Sequence, residues 1–122
     1  MKTDEYIENV MRTNGPAIGL PEDKFRLMHC ALGLVTEAGE LADVVKKHLC
    51  YGKPLQAEHI INIKEEMGDL LWYIANLCDL FDYQIEDLME ANIRKLRTRY
   101  PEKFELEKSD NRDLNAEFQA LQ

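Results

Sequence analysis

The sequence lacks the features that would place it in several common classes of protein. No stretch reaches 18 consecutive apolar residues, and the first ten residues are acidic without an apolar signal region, so neither a membrane span nor a secretory signal is expected. Lysine and arginine total 15 against 23 aspartates and glutamates, a formal net charge of −8. A passive nucleic-acid-binding surface is therefore disfavoured, because phosphate backbones require a basic footprint.

Cysteine is scarce and scattered. Cys30, Cys50 and Cys78 form no Cys-x-x-Cys pair, which predicts reduced thiols in a cytoplasmic protein. The chain also has no glycine-rich phosphate loop and no EF-hand loop, and no histidine follows a glutamate by three residues, the spacing typical of di-iron bundles. These absences leave carboxylates as the main candidates for chemistry.

What the chain does contain is helical periodicity. Gly52 and Pro54 mark a turn between two long amphipathic segments, and the polar tail 105–122 suits a small amphipathic helix or a partner-clasping arm. We predict a single all-α domain over 1–122, resembling a four-helix bundle with a core at about 21–104. The expected helices are Asp4 to Arg12, Pro21 to about Cys50, Ala57 to Phe81, Ile85 to Tyr100 and a short one holding Leu114, Phe118 and Leu121.

Two apolar seams support this prediction, since their residues recur at spacings of three and four. Joined by a short turn, they favour an antiparallel helical hairpin. The second helix contributes Leu27, Ala31, Leu34, Ala38, Leu41 and Val45, and the third contributes Ile60, Ile63, Met67, Leu70, Ile74, Leu77 and Phe81.

Each seam carries a pair of acids at i, i+3, one residue before seam positions. Glu37 and Glu40 lie on the second helix, and Glu66 and Asp69 lie on the third. Equal offsets fall on one side of an antiparallel interface, so we expect the four carboxylates to converge. Such a cluster requires cations, and its hard oxygen ligands suit Mg²⁺ or Mn²⁺. Gly39 and Gly68, costly in helices, suggest close approach there.

These motifs resemble those of the MazG-like all-α nucleoside triphosphate pyrophosphohydrolases, in particular the short single-domain proteins of bacteria and phages. The likeness runs from about Phe25 to Phe104. Beside the two acidic pairs, the likeness includes Gly-Lys-Pro in the turn, Gly-Asp-Leu-Leu-Trp-Tyr, and Ala-Asn-Ile-Arg-Lys-Leu-Arg-Thr-Arg-Tyr-Pro. The chain departs from the family at Thr36, where many members have a further glutamate.

The resemblance implies metal-dependent hydrolysis of a nucleoside triphosphate, commonly a deoxy or non-standard one, to the monophosphate and pyrophosphate. It also implies a homo-dimer or homo-tetramer, which a broad apolar surface on the helices would favour. Glu37, Glu40, Glu66 and Asp69 would be the catalytic metal ligands, and a glutamate of the second helix would orient or deprotonate the attacking water.

Several other residues are candidates for binding the nucleotide, each with an ordinary structural role as the alternative. Asn92 lies on an apolar line of the fourth helix, where a polar group needs a partner. Tyr73 follows Asp69 by one turn, and His29 precedes Glu37 by two turns, so both suit a base-binding pocket. The basic candidates for phosphate contacts are Lys47, Lys53, Lys95 and Arg99.

Two other functions remain compatible with the sequence. An acidic helical interaction module would bind a basic partner without hydrolysis. A hydrolase of another pyrophosphate, such as an alarmone or a phosphoribosyl nucleotide, would keep the same metal site. Release of pyrophosphate from nucleoside triphosphates distinguishes these alternatives from the main hypothesis.

Overall fold

The computed structural model describes all 122 residues, and its regular elements are all helices, which confirms the predicted fold class. None of its helices is long and apolar enough to cross a membrane. The elements are α1 (Thr3–Met11), α2 (Glu22–Leu49), α3 (Ala57–Leu80), α4 (Ile85–Arg99), α5 (Leu106–Asp110) and α6 (Leu114–Ala120).

The chain forms two compact units. Met1–Asp82 contains α1, α2 and α3, and Tyr83–Gln122 contains α4, α5 and α6. The short helix predicted around Leu114 and Phe118 corresponds to α6, whereas α5 was not predicted because five residues are too few to show a periodic pattern.

The turn between α2 and α3 follows from local chemistry. Gly52 adopts a φ of 66°, a left-handed conformation that glycine reaches without steric cost. The Lys53 backbone N–H donates to the Lys47 carbonyl at 3.2 Å, which satisfies a carbonyl at the end of α2. The backbone N–H of Gln56 donates to His59 Nδ1 at 2.9 Å, and α3 begins at the next residue.

α2 and α3 run antiparallel, because residues later in α2 meet residues earlier in α3. The pairs are spaced seven residues apart on α2, or about 10 Å along its axis. In order they are Arg26 with Asp79, Gly33 with Tyr73, Glu40 with Glu66, and Lys47 with His59.

The core of the N-terminal unit lies near the open end of this hairpin. It consists of apolar side chains around one buried amide, Asn76, which is 1% exposed. Asn76 Oδ1 accepts a hydrogen bond from Asn14 at 2.7 Å, and its Nδ2 donates to the Trp72 carbonyl at 3.3 Å. The buried apolar residues of this core are Ile7, Val10, Cys30, Ala75 and Cys78. Cys30 and Cys78, like the exposed Cys50, are free thiols.

The packed faces of α2 and α3 differ from the predicted seams by about one residue. Met67 is 60% exposed, whereas Glu66 is 7% exposed. On α2, Cys30 and Gly33 are buried while the predicted Ala31 is exposed. Each helix is rotated about its own axis relative to the predicted orientation, because both helices carry more apolar residues than one interface can cover. The acidic residues therefore lie closer to the interface between α2 and α3 than predicted.

The prediction of close approach at Gly39 and Gly68 was wrong. A Cβ built at either position would meet no atom within 4 Å. Close approach occurs at Gly33 instead, where a Cβ would overlap the Tyr73 ring. A side chain at position 33 would therefore force the Tyr73 ring to move.

The C-terminal unit is organised around Glu117 of α6. Both Glu117 oxygens accept hydrogen bonds from Arg99 of α4, at 2.8 and 2.7 Å, and from Arg112, at 3.2 and 2.6 Å. The Arg94 side chain donates to the Ala120 carbonyl at 3.1 Å, and Asp113 caps the start of α6 by accepting from the Ala116 N–H at 3.0 Å. Paired charges therefore join α4 to α6.

Candidate metal and nucleotide site

Three of the four predicted acids come together midway along the hairpin. Glu37, Glu40 and Glu66 each offer a carboxylate oxygen, and these oxygens all lie within 4.8 Å of one another. Glu40 is exposed, Glu37 is half-buried and Glu66 is buried. Thr36, at the position where many members of the family have a glutamate, donates its hydroxyl to the Gly33 carbonyl at 3.0 Å and adds no charge.

Glu66 occupies an unfavourable environment for a lone carboxylate. Burial raises its pKa, and the Glu40 charge and the adjacent Glu37 carboxyl raise that pKa further. Its Oε2 is buried without a hydrogen-bond partner, although buried polar atoms are normally satisfied. No lysine or arginine forms an ion pair with any of the three carboxylates. A divalent cation would supply the missing positive charge, and oxygen donors are the ligands that Mg²⁺ prefers.

Asp69 is not part of the three-carboxylate group. It is exposed, and its charge acts on two tyrosines. Burial raises the pKa of Tyr73, and Glu37 and Asp69 contribute further. Burial and the Asp69 charge likewise raise the pKa of Tyr6. Asp69 therefore lies close enough to Tyr73 and to Tyr6 of α1 for its charge to act on both.

An aromatic cluster lies beside the carboxylates toward the open end of the hairpin. The His29 ring centroid is 5.4 Å from that of Tyr73 and 6.1 Å from that of Trp72, both edge-on, and 5.8 Å from that of Phe25, stacked. Trp72 Nε1 donates to the Thr13 hydroxyl at 2.7 Å. His29 remains exposed, so a planar base has access to this cluster.

On the opposite side of the carboxylates, toward the α2–α3 turn, lies a basic cavity of about 310 Å³. The structure places the predicted Lys47 and Lys53 together in its wall. A neighbouring cavity of about 540 Å³ is lined by Glu40 and Glu66 and also by Lys47. Lys47 therefore connects the carboxylates to the basic cavity.

The remaining candidates belong to the C-terminal unit. Asn92 and Lys95 line a cavity of about 600 Å³ within that unit. Asn92 is exposed rather than buried on an apolar line, so a structural amide role is not required. Arg99 is engaged by Glu117 in two hydrogen bonds, which gives it a structural role in this unit.

The sequence did not single out Tyr6, His48, His59 or Asn62 as part of the site. Tyr6 lies one residue before Ile7 on the buried face of α1, and that amphipathic pattern was the available signal. The two histidines flank the Gly-Lys-Pro turn at nearly equal distances in the chain, a symmetry that indicates a shared location only once an antiparallel hairpin is assumed.

The chain is similar to known proteins over more than half of its length. Residues 26–104 match the family model of the MazG nucleotide pyrophosphohydrolase domain. The chain is 35% identical over 74 residues to the Gene 37 protein of Mycobacterium phage L5, covering 60% of this chain and 65% of the phage protein. It is 37% identical over 73 residues to the Uncharacterized protein YvdC of Bacillus subtilis (strain 168), covering 55% of this chain and 69% of that protein.

The chain thus spans just under two thirds of the length of the phage relative. No solved structure matches it. The family match covers more than half of the chain and includes both acidic pairs, the turn and all of α4. The chain therefore belongs to the MazG nucleotide pyrophosphohydrolase family.

Proposed function

We propose that this protein hydrolyses a nucleoside triphosphate, ribo- or deoxyribo-, to the monophosphate and pyrophosphate, with Mg²⁺ or Mn²⁺ held by the hairpin carboxylates. In this reaction a water oxygen attacks the α-phosphorus, the bond from the α-phosphorus to the oxygen bridging it to the β-phosphorus breaks, and pyrophosphate leaves. By removing a nucleoside triphosphate, this reaction would control the composition of the nucleotide pool.

One observation carries the proposal: Glu66 is buried and its Oε2 has no partner within the protein. A buried carboxylate that is kept for stability alone is normally paired or hydrogen-bonded. Glu37 and Glu40 increase the negative charge around Glu66 rather than relieving it. The arrangement fits a cation site in which Glu37, Glu40 and Glu66 are the ligands.

The metal ion and the residues of the site have different proposed roles in the reaction. When bound, a divalent ion neutralises charge on the phosphate oxygens and makes an attacking water more acidic. Glu37 or Glu40 orients that water and accepts its proton. Asp69, on the outer edge of the cluster, completes the ligand set. The protein thus contributes mainly position and charge.

The aromatic cluster is the proposed binding place for the base. Tyr73 is held against Gly33, so its ring is fixed directly beside Glu37. His29 offers an exposed ring in contact with Tyr73. Aromatic faces stack on any nucleobase, whichever base it is. This cluster therefore supplies affinity for a nucleoside.

Self-association is also proposed, as a homo-dimer or homo-tetramer. Met28, Leu32 and Val35 recur at i, i+4 and i+7 on α2 and are 45%, 60% and 71% exposed. A contiguous exposed apolar stripe of this kind is typical of an interface between proteins. Sedimentation equilibrium of the purified chain tests the proposal, and a monomer at micromolar concentration would contradict it.

The test of the activity is pyrophosphate release from a panel of ribo- and deoxyribonucleoside triphosphates with Mg²⁺, with Mn²⁺ and with a chelator. We expect release from one or a few substrates, lost in the chelator. Glu40→Gln should abolish it, because Glu40 is an exposed ligand whose replacement spares the fold.

Glu65→Gln is the matched control. Glu65 is exposed and lies next to Glu66 but outside the carboxylate group, so its replacement should leave most of the activity. Full activity of Glu40→Gln would overturn the site assignment. A folded protein that releases no pyrophosphate from any nucleotide in the panel would overturn the proposed activity and favour another pyrophosphate substrate or an interaction module.

A further inference from the structure

The basic cavity at the α2–α3 turn stands out in a chain with a net charge of −8. Its polar wall consists of Lys47, His48, Lys53, His59 and Asn62, and no aspartate or glutamate lines it. The chain has 23 acidic residues, so a cavity free of them is unusual for this protein. The volume, about 310 Å³, is at the small end of ligand pockets. The cavity therefore suits a compact anion.

The hydrogen bonds of the two histidines show which ring nitrogen of each carries a proton. His59 Nδ1 accepts the Gln56 backbone N–H at 2.9 Å, so the proton of neutral His59 is on Nε2, which remains a donor. His48 Nδ1 lies 2.7 Å from the Lys53 carbonyl oxygen and must carry a proton, because a carbonyl only accepts. Both rings are oriented by the backbone of the turn. His59 thereby presents an N–H to any group in the cavity.

The positive charges in the wall are not equally available. Lys47 forms an ion pair with Asp43, whereas the Lys53 ammonium forms none. His59 lies in the first turn of the 24-residue helix α3, whose N-terminal end carries partial positive charge. Lys53, the His59 N–H and the helix end together form a positive wall that lacks a counter-charge.

This cavity adjoins the carboxylate site. Lys47 and Asn62 line both the basic cavity and the cavity that contains Glu40 and Glu66. Asn62 precedes Glu66 by one turn of α3, and Lys47 follows Glu40 by two turns of α2, about 10 Å along the axis. A ligand that is centred on the carboxylates therefore reaches the basic cavity on one side.

The opposite side of the carboxylates is aromatic, at Tyr73 and His29. The hairpin thus has three successive surfaces along its axis, which are aromatic, acidic and basic. A nucleoside triphosphate has the matching order of base, α-phosphate, and β- and γ-phosphates. Only one orientation places the bond between the α- and β-phosphates next to the carboxylates with both ends of the molecule on complementary surfaces.

We propose that the basic cavity binds the β- and γ-phosphates of the substrate, so that the leaving pyrophosphate departs toward the α2–α3 turn. This proposal rests on the proposed hydrolase function and adds the direction in which the substrate lies. Lys53 and His59 are its main ligands. Lys47 joins them when the phosphate competes with Asp43 for its ammonium group.

The direct test uses inorganic pyrophosphate as the probe, titrated calorimetrically into the full chain in a chelator, so that no metal ion contributes. The variants are Lys53→Met and His59→Gln, in which the glutamine retains an acceptor for the Gln56 N–H. Lys64→Met is the matched control, because it removes the same charge from an exposed lysine of α3 that lines neither cavity. We expect about tenfold weaker binding in the first two variants and less than about twofold in the control.

Inhibition kinetics supply the second readout. Pyrophosphate should inhibit hydrolysis competitively, and Lys53→Met should raise its inhibition constant about tenfold. Inhibition by the nucleoside monophosphate should stay unchanged, because that product lies on the other side of the carboxylates. Equal weakening of both inhibitors, or equal pyrophosphate binding in all four proteins, would overturn the proposal.

The proposal and the hydrolase function fail in different ways. Nucleotide hydrolysis without any Lys53-dependent binding of pyrophosphate would overturn the orientation alone. Lys53-dependent binding of pyrophosphate by a protein that hydrolyses none of the nucleotides would overturn the hydrolase function and, with it, the assignment of the cavity to substrate phosphates.

Discussion

The two units of this chain each bury one glutamate, and they treat it in opposite ways. Glu117 in the C-terminal unit is 3% exposed and accepts four hydrogen bonds from two arginines. Glu66 in the N-terminal unit is 7% exposed, has an unpartnered oxygen and lies among other carboxylates. The arginines hold the pKa of Glu117 far below its usual range, whereas burial and neighbouring acids raise the pKa of Glu66.

The difference fits the proposal that Glu117 is a structural carboxylate and Glu66 a functional one. A buried charge that joins two helices is stable only when it is paired. A buried charge that is left unpaired costs stability, and such a cost is typical of sites that bind an ion or a substrate. Glu117 belongs to the first kind. We propose that Glu66 belongs to the second, so the two residues should respond differently to the same substitution.

Glu66→Gln should produce the largest effect, and it should act on activity. If Glu66 is the proposed direct metal ligand, its loss should lower hydrolysis by at least about 100-fold, since even outer-shell partners of metal sites account for 10- to 100-fold. The fold should persist, because glutamine has the same shape and removes repulsion from Glu37 and Glu40. Hydrolysis rates and thermal melting by circular dichroism measure the two effects, with and without Mg²⁺.

Mg²⁺ should raise the melting temperature of the wild-type chain but not that of Glu66→Gln, because only the wild type retains the site. A variant that keeps its activity, or that melts well below the wild type without metal, would place Glu66 with the structural carboxylates.

Glu117→Gln should have the next largest effect, and it should act on stability. The substitution leaves Arg99 and Arg112 without their shared counter-charge, so the melting temperature should fall clearly at neutral pH. Glu107→Gln is the control, since Glu107 is an exposed acid of the same unit without an ion pair. An equal melting temperature for Glu117→Gln and wild type would show that the ion pairs do not stabilise this unit.

The difference in stability between the wild type and Glu117→Gln should depend on pH. Because the folded pKa of Glu117 is lowered, its stabilisation is fully present above the unfolded pKa of glutamate, about 4.3. It is lost as the pH falls below that value toward the folded pKa. The gap in melting temperature between wild type and Glu117→Gln should therefore stay constant from about pH 8 to about pH 5 and narrow in stronger acid.

The sequence predicted the main helices to within about two residues, because Pro21, Gly52 and Pro101 mark helix ends directly. It did not predict which apolar stripe packs within the chain. Met67 and Val45 fit a helical seam as well as the residues that are buried, and periodicity cannot distinguish a core face from a face left exposed. The prediction grouped four acids, and the structure groups Glu37, Glu40 and Glu66.

Contacts between residues far apart in the chain were the second feature that the sequence could not predict. Arg99 suggested a phosphate ligand because it follows Asn92 by seven residues on a nearby helix face, yet Glu117 neutralises its charge from 18 residues away. Tyr73 likewise gave no sign that it packs on Gly33, because the contact joins two helices. Features decided within one turn of helix were predictable, whereas pairings across helices required the structure.

The smallest expected effect tests whether Glu66 lacks a partner simply because the hairpin is loosely packed. A methyl group at Gly33 would overlap the Tyr73 ring, so Gly33→Ala should destabilise the chain by about 1–3 kcal/mol through strain, partly offset by about 1 kcal/mol of helix propensity. Urea denaturation with unchanged m-values measures the difference. Displacement of Tyr73 should also raise KM more than it lowers kcat.

Gly68→Ala is the matched control on the facing helix, because a Cβ there meets nothing within 4 Å, and it should stabilise the chain by up to about 1 kcal/mol. Opposite signs at the two glycines would show that α2 and α3 are closely packed two helical turns from Glu66, which would argue against loose packing of the hairpin as the reason for its unpaired oxygen. If Gly33→Ala were as stable as Gly68→Ala, the hairpin would be loose enough to explain the unpaired oxygen without a ligand, and the contrast with Glu117 would lose its functional meaning.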